Sequence, residues 1–220
     1  SSSPTLADVL EKLIKMDVVT KYSPINDENN KKKTGSGRMY EYGQGHAYQS
    51  DRVISNIRYG NSTIAKSGCA PVAATNLINN INPNTMSVRQ AASYAEKHGM
   101  TVPGGGTELR YFNSFLGSQG IATINTKNRK AILAALKQGN QVVMLGRDSN
   151  DTPGVPFGSN PHFITATGID SKGNIIVEDP DMAQSSISYN PNNLFRSMTT
   201  SIITNSKMLR SSKLNRHGLG

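Results

Sequence analysis

Apolar residues recur at helical spacing through the first two thirds of this chain and gather into short runs in the last third. Residues 5–19, "TLADVLEKLIKMDVV", place Leu6, Val9, Leu10, Leu13 and Ile14 on one helical face. They predict an amphipathic helix that packs on the main body or on a neighbouring chain. A second helix is expected from Cys69 to about Ile81. In "SVRQAASYAEKHG", Ser87 is a good N-cap and Gly99 a good stop. "PGGGTELRYFNSFLGSQG" reads as a glycine-rich loop, Thr107 as cap, and a helix ending at Gly117 or Gly120. "NRKAILAALKQG" is a further short helix closed by Gly139.

From residue 141 onward the period changes. The runs 141–147, 162–169, 174–179, 185–189 and 199–204 read as strands, and the turn "DSKG" joins the second to the third. "NPNNLFRSM" is a short helix between the last two. Helices first and antiparallel-type strands later predict an α+β domain. The domain organisation follows: an amphipathic helix in 1–22, a polar linker or surface loop in 23–47, the folded domain in 48–205, and a basic tail in 206–220.

Composition narrows the class. Apolar residues make up 35% of the chain, enough for a core, and no run of about 18 apolar residues exists to span a membrane. The amino-terminal stretch lacks the basic and apolar regions of a signal peptide. The serine start and the "NRHGLG" end read as a piece released from a longer chain. The formal charge is +9, with basic residues concentrated towards both ends. Such a balance suits polyanions, anionic cell-wall polymers among them. A nucleic-acid partner is not expected: aromatics are 6% and no stacking pattern accompanies the basic runs.

The chemistry rests on Cys69, the chain's single cysteine, so no intrachain disulfide is available. It opens a helix, behind Gly68 and ahead of Pro71. A helix N-terminus favours the thiolate, and a neighbouring imidazolium favours it further. Alone, the pattern favours a buried structural thiol. Of the four histidines, His46, His98 and His217 read as surface residues, whereas His162 opens an apolar strand after "GSNP". A base for a thiol needs such a fixed backbone and an exposed ring edge. The hairpin that turns at Ser171–Gly173 brings Asp179 back beside His162, with Asp181 as its competitor for the role of orienting carboxylate.

These segments, "YQSDRVISNIRYGNSTIAKSGC", "SGCAPVAATNLI" and "HFITATGIDSKGNIIVEDP", resemble the papain-like cysteine peptidases of the bacteriocin-leader-peptidase-like (double-glycine peptidase-like) group, and especially its free-standing, extracellular or phage-borne branch. The resemblance covers roughly residues 48–205. It implies a papain-like fold, with amino-terminal helices packed on a carboxy-terminal antiparallel sheet. It also implies Cys69 as nucleophile, His162 as general base and acid, and Asp179 as the residue that orients the imidazole. Gln49 would share the oxyanion hole with the Cys69 N–H, and Gln44 is its rival. No cofactor or metal is implied. The sequence departs from the family in Ala70, where glycine is usual, and in the lack of tryptophan.

The expected activity is hydrolysis of a peptide bond through an acyl-enzyme, in an extracellular, cell-wall or virion-associated setting with peptidoglycan peptide as substrate. Processing of a protein partner or of its own precursor is the alternative within the enzyme class. An inactive wall- or tail-binding module of the same fold is the alternative outside it. Three weaker signals read as structure: "RDSNDTPG" as a surface turn rather than a calcium loop, "PGGGT" as a wall of the cleft rather than a phosphate cradle, and "NST" at 61 as a glycosylation triplet by pattern only.

Overall fold

A computed structural model of the chain describes residues 46–184 and 186–207. The amphipathic helix read in 5–19, most of the linker, Gln44, His217 and the tail from 208 lie outside the described residues. The described chain is mixed helix and antiparallel sheet, an α+β arrangement. It opens with a small hairpin, β1 (Arg58–Tyr59) and β2 (Ser62–Thr63), then a single turn, α1 (Ile64–Ser67). Three helices follow: α2 (Cys69–Ile81), α3 (Val88–Lys97) and α4 (Arg110–Ser118). Then come β3 (Thr123–Thr126), α5 (Arg129–Lys137), β4 (Asn140–Gly146), β5 (His162–Ile169), β6 (Ile175–Glu178), β7 (Ile187–Tyr189), α6 (Pro191–Ser197) and β8 (Met198–Lys207). The main sheet runs in the order β3-β8-β4-β5-β6-β7, antiparallel throughout.

The helix boundaries follow local chemistry. Ser87 caps α3 in a full capping box: its side chain accepts from the Gln90 N–H, and the Gln90 side chain accepts from the Ser87 N–H. Asn128 caps α5, and Asn190 caps α6 ahead of Pro191. Thr107 does not cap α4. That helix starts at Arg110, while Thr107 pairs with Thr101 in a bridge and hydrogen-bonds the Tyr59 hydroxyl. The threonine has a tertiary partner that local pattern does not reveal.

The near-continuous apolar run of β4 has a simple cause, since the strand is covered on both faces. Val143, with Phe163 and Ile202, joins the core under α2, α3 and α4. Val142 and Met144, with Ile164, Ala166 and Ile203, join a second core under α5 and α6. Helices therefore lie on both sides of the sheet, not only on the amino-terminal side. Two further differences concern the sheet margins. β3 is absent from the sequence reading because "TINT" is short and largely polar, yet it pairs with β8. β8 reaches Lys207, so residues 206 and 207 belong to the sheet rather than to a tail.

Helix α2 holds the molecule together through three asparagines that are poor helix formers in isolation. Asn79 accepts from the Thr85 and Met86 N–H groups, which fixes the following loop. Asn80 donates to Gln141 of β4 and to Glu178 of β6. Asn76 accepts from the Ala47 N–H at 2.8 Å and donates to the Ala47 carbonyl at 2.9 Å. His46 and Ala47 are thus anchored to the domain, which begins before residue 48.

Gly68 sets the entry into α2. A Cβ placed there would lie 2.7 Å from both the Cα and the carbonyl oxygen of Ile64. That is backbone, which cannot swing away. Gly68→Ala is therefore expected to cost about 1–3 kcal/mol as an overpacking substitution, read as a lower denaturation midpoint. An unchanged midpoint would show that the α1–α2 junction yields freely.

Candidate active site

The thiol stands at the first residue of α2, half-buried and free. The first intrahelical bond there runs from Val72 N–H to the Gly68 carbonyl at 3.1 Å, so the Cys69 N–H sits ahead of the helix ladder. Pro71 brings no N–H to this turn. Ala70 is fully buried in the helix-side core, so its methyl is accommodated there and does not line the exposed side of the thiol.

His162 opens β5, opposite Gly146 of β4. No side chain could stand at Gly146 without meeting Phe157: a Cβ would come within 2.6 Å of its Cδ2 atom. The β5–β6 ladder pairs Thr165 with Glu178. Extended by one residue, it puts Asp179 on the diagonal from His162, a distance that long side chains bridge. They do so here: the His162 Nε2 atom lies 2.7 Å from Asp179 Oδ1. With Nε2 taken, Nδ1 is the nitrogen left to face the Cys69 thiol, which is close enough to raise the imidazole. The three residues singled out in the sequence are therefore brought together.

Electrostatics make this a charged cluster. Burial is the largest single influence on His162 and disfavours its proton. The hydrogen bonds to Asp179 and Cys69, with the negative charge of both, outweigh it and raise the imidazole from 6.5 to about 10. His162 is thus held as the imidazolium that a thiolate requires. Two tyrosines lie close enough to these groups to feel them. Burial raises Tyr59 well above its ordinary value, and charge at Cys69 adds to this. Burial also raises Tyr189, with Asp179 contributing.

The Asp179 carboxylate is 5% exposed and is fixed by its own turn. Its Oδ1 accepts from the Asp181 N–H at 2.9 Å, and its carbonyl accepts from the Met182 N–H at 3.1 Å across Pro180. Asp181 takes part only through its backbone here, and its side chain is exposed. The glycine loop lies on the other flank. A Cβ at Gly105 would lie 3.0 Å from Ser67 Oγ, two residues before the thiol. Gly104, Gly105 and Gly106 all have positive φ, which keeps side chains out of this segment.

Gln49 is placed less simply. It is 5% exposed, and its Nε2 donates to the carbonyls of Ile64 at 3.0 Å and Ala65 at 3.3 Å, while its Oε1 has no partner. The amide sits in the turn that feeds Cys69, but its donors are engaged with the backbone. His98 is remote in role: it stacks on Tyr94 at 4.0 Å and hydrogen-bonds its carbonyl. His46, read as a surface residue, instead reaches the Asp179 turn, with Nε2 at 2.9 Å from the Asp179 carbonyl and 2.6 Å from that of Met182. Nothing in the local pattern of "GQGHAYQ" signals this. Asp148, in the loop after β4, spends its carboxylate on the N–H groups of Asn150 and Thr152, as a turn-forming aspartate does.

The raised His162 has a consequence for stability. Its folded value lies above its unfolded one, so the stabilisation is complete below pH 6.5 and is lost as pH rises through about 10. In chemical denaturation, the advantage of the native chain over His162→Gln is expected to be largest on the acid side of that window and to shrink across it. An advantage that is flat or grows with pH contradicts the imidazolium assignment. No family model matches this chain, and no curated protein matches it.

Proposed function

We propose that the chain is a cysteine peptidase of papain-like fold, acting through Cys69, His162 and Asp179. The single observation that carries this reading is the line of contacts from a helix-opening thiol to an imidazolium and on to a buried carboxylate, with His162 Nε2 2.7 Å from Asp179 Oδ1. A structural cysteine has no need of a buried charged partner. The chemistry runs in two balanced steps. The Cys69 thiolate adds to a peptide carbonyl carbon, and the tetrahedral intermediate collapses as His162 gives its proton to the leaving amine. His162 then takes a proton from water, the hydroxide adds to the thioester carbonyl, and collapse expels the Cys69 thiolate as the acid leaves, which restores the thiolate–imidazolium pair.

The oxyanion would be met by the Cys69 N–H at the α2 N-terminus, which is worth a few kcal/mol of barrier. Gln49 serves as the second donor once its amide exchanges the Ala65 carbonyl for the oxyanion, a movement that keeps the Ile64 bond. Two exposed apolar side chains, Val102 beside the glycine loop and Met182 on the Asp179 turn, suit contacts with substrate side chains. A wall setting, extracellular or virion-associated, is supported by charge. Residues 121–147 hold no acid, and Lys127, Arg129, Lys130, Lys137 and Arg147 are all exposed. Such a surface suits anionic wall polymers, with peptidoglycan peptide as the bond cleaved.

Incubation with purified cell walls, followed by mass analysis of released fragments, tests the substrate. The native chain is expected to release peptide ends, and Cys69→Ala is expected to fall by about three orders of magnitude or more. Equal release from both would sink the wall assignment. Iodoacetamide labelling tests the site itself: near neutral pH, His162→Ala is expected to label about tenfold more slowly or worse. An unchanged labelling rate would count against the catalytic pair.

A further inference from the structure

The Asp179 turn is held from outside by the segment 46–49. The Gln49 N–H donates to the Pro180 carbonyl at 2.7 Å. The His46 ring lies over the same turn, with its Nε2–H shared between the Asp179 and Met182 carbonyls. Two carbonyl acceptors at Nε2 require the proton to be there, which leaves Nδ1 as an acceptor. Asn76 supplies the matching donor, its Nδ2 lying 3.4 Å from His46 Nδ1. The Asn76 amide cannot reverse, because both of its ends are committed to the Ala47 backbone. Asn76 lies on the same helix as Cys69, two turns further along the same face. A continuous path therefore runs from the nucleophile's helix through Asn76 and His46 to the backbone of the orienting acid.

We propose that His46 is a positioning residue: it fixes the Asp179 turn against α2, so that the carboxylate meets the His162 ring while Cys69 meets its other nitrogen. This rests on the reading of Cys69, His162 and Asp179 as a catalytic triad. The physical need is clear from the topology. Asp179 lies just beyond the end of β6, where the ladder to β5 has stopped. The turn's internal bonds shape it but do not tie it to the helix that carries the thiol. Asn80 ties Glu178 to α2 at the far end of that helix, one residue short of the acid. His46 completes the tie at Asp179 itself. Tyr48 stacks on the His46 ring at 6.4 Å, and Tyr189 of β7 lies near enough to feel the Asp179 carboxylate.

The test uses His46→Leu, which keeps bulk and loses the donor, and His46→Gln, whose amide keeps an N–H for the turn. The primary readout is the titration midpoint of His162, followed by NMR of its imidazole in the free protein. In His46→Leu the midpoint is expected to fall by about one unit towards the ordinary histidine value, with iodoacetamide labelling of Cys69 slowed in step. His46→Gln is expected to restore most of both. If His46→Leu fails to fold, His46→Asn, too short to reach both carbonyls, takes its place. A folded donor-less variant with the native His162 midpoint overturns the proposal, and so does a His46→Gln variant no better than His46→Leu. The midpoint is read without substrate. A chain that cleaves no peptide but shows the shift therefore retains the positioning role and loses only the peptidase reading.

Discussion

The bond between His162 and Asp179 is the interaction on which the rest of the arrangement depends. It joins a half-buried imidazole to a carboxylate that is 5% exposed. A buried charge without a partner costs several kcal/mol, so each group offsets the cost of burying the other's charge. The carboxylate also accepts the Asp181 N–H, and the imidazole also meets the Cys69 thiol. The pair therefore links a turn, a strand and a helix start in one electrostatic unit. The pair lies at the end of the sheet, where His162 and Cys69 each keep part of their surface exposed.

Helix α2 ties this arrangement to the rest of the described chain. Its buried face holds Val72, Ala73 and Leu77, small or branched side chains that seat it against the sheet. Its asparagines then reach the lead-in segment, the following loop and two strands. Burying a polar side chain is costly unless it is bonded. Here each amide meets backbone or side-chain partners. The same bonds hold the helix in one register, and hence hold Cys69 at one point above His162.

Much of this was legible in the residues, and the reasons are local. Ser87 with Gln90, Asn190 with Pro191, and the Asp170–Gly173 turn are short-range chemistry, and their elements appear where expected. Asp179 could be placed beside His162 because a tight hairpin converts sequence separation into register. What escaped were contacts between distant segments. Thr107 bonds Tyr59, β3 finds an edge of β8, and His46 meets a turn 133 residues away. None of these partners leaves a periodic trace.

The sequence alone determined the α+β order of elements, the helix start at Cys69 and the hairpin that returns an aspartate to a histidine. These follow from periodicity, capping and turn residues, which act over a few positions. Only the tertiary structure decided that helices cover both faces of the sheet, that the glycine loop lies against Ser67, and that Gln49 spends its amide on Ile64 and Ala65. It alone also placed His46 on the Asp179 turn. Those outcomes depend on which distant backbone groups are left needing a partner once the core has closed, and that is a property of the packed chain.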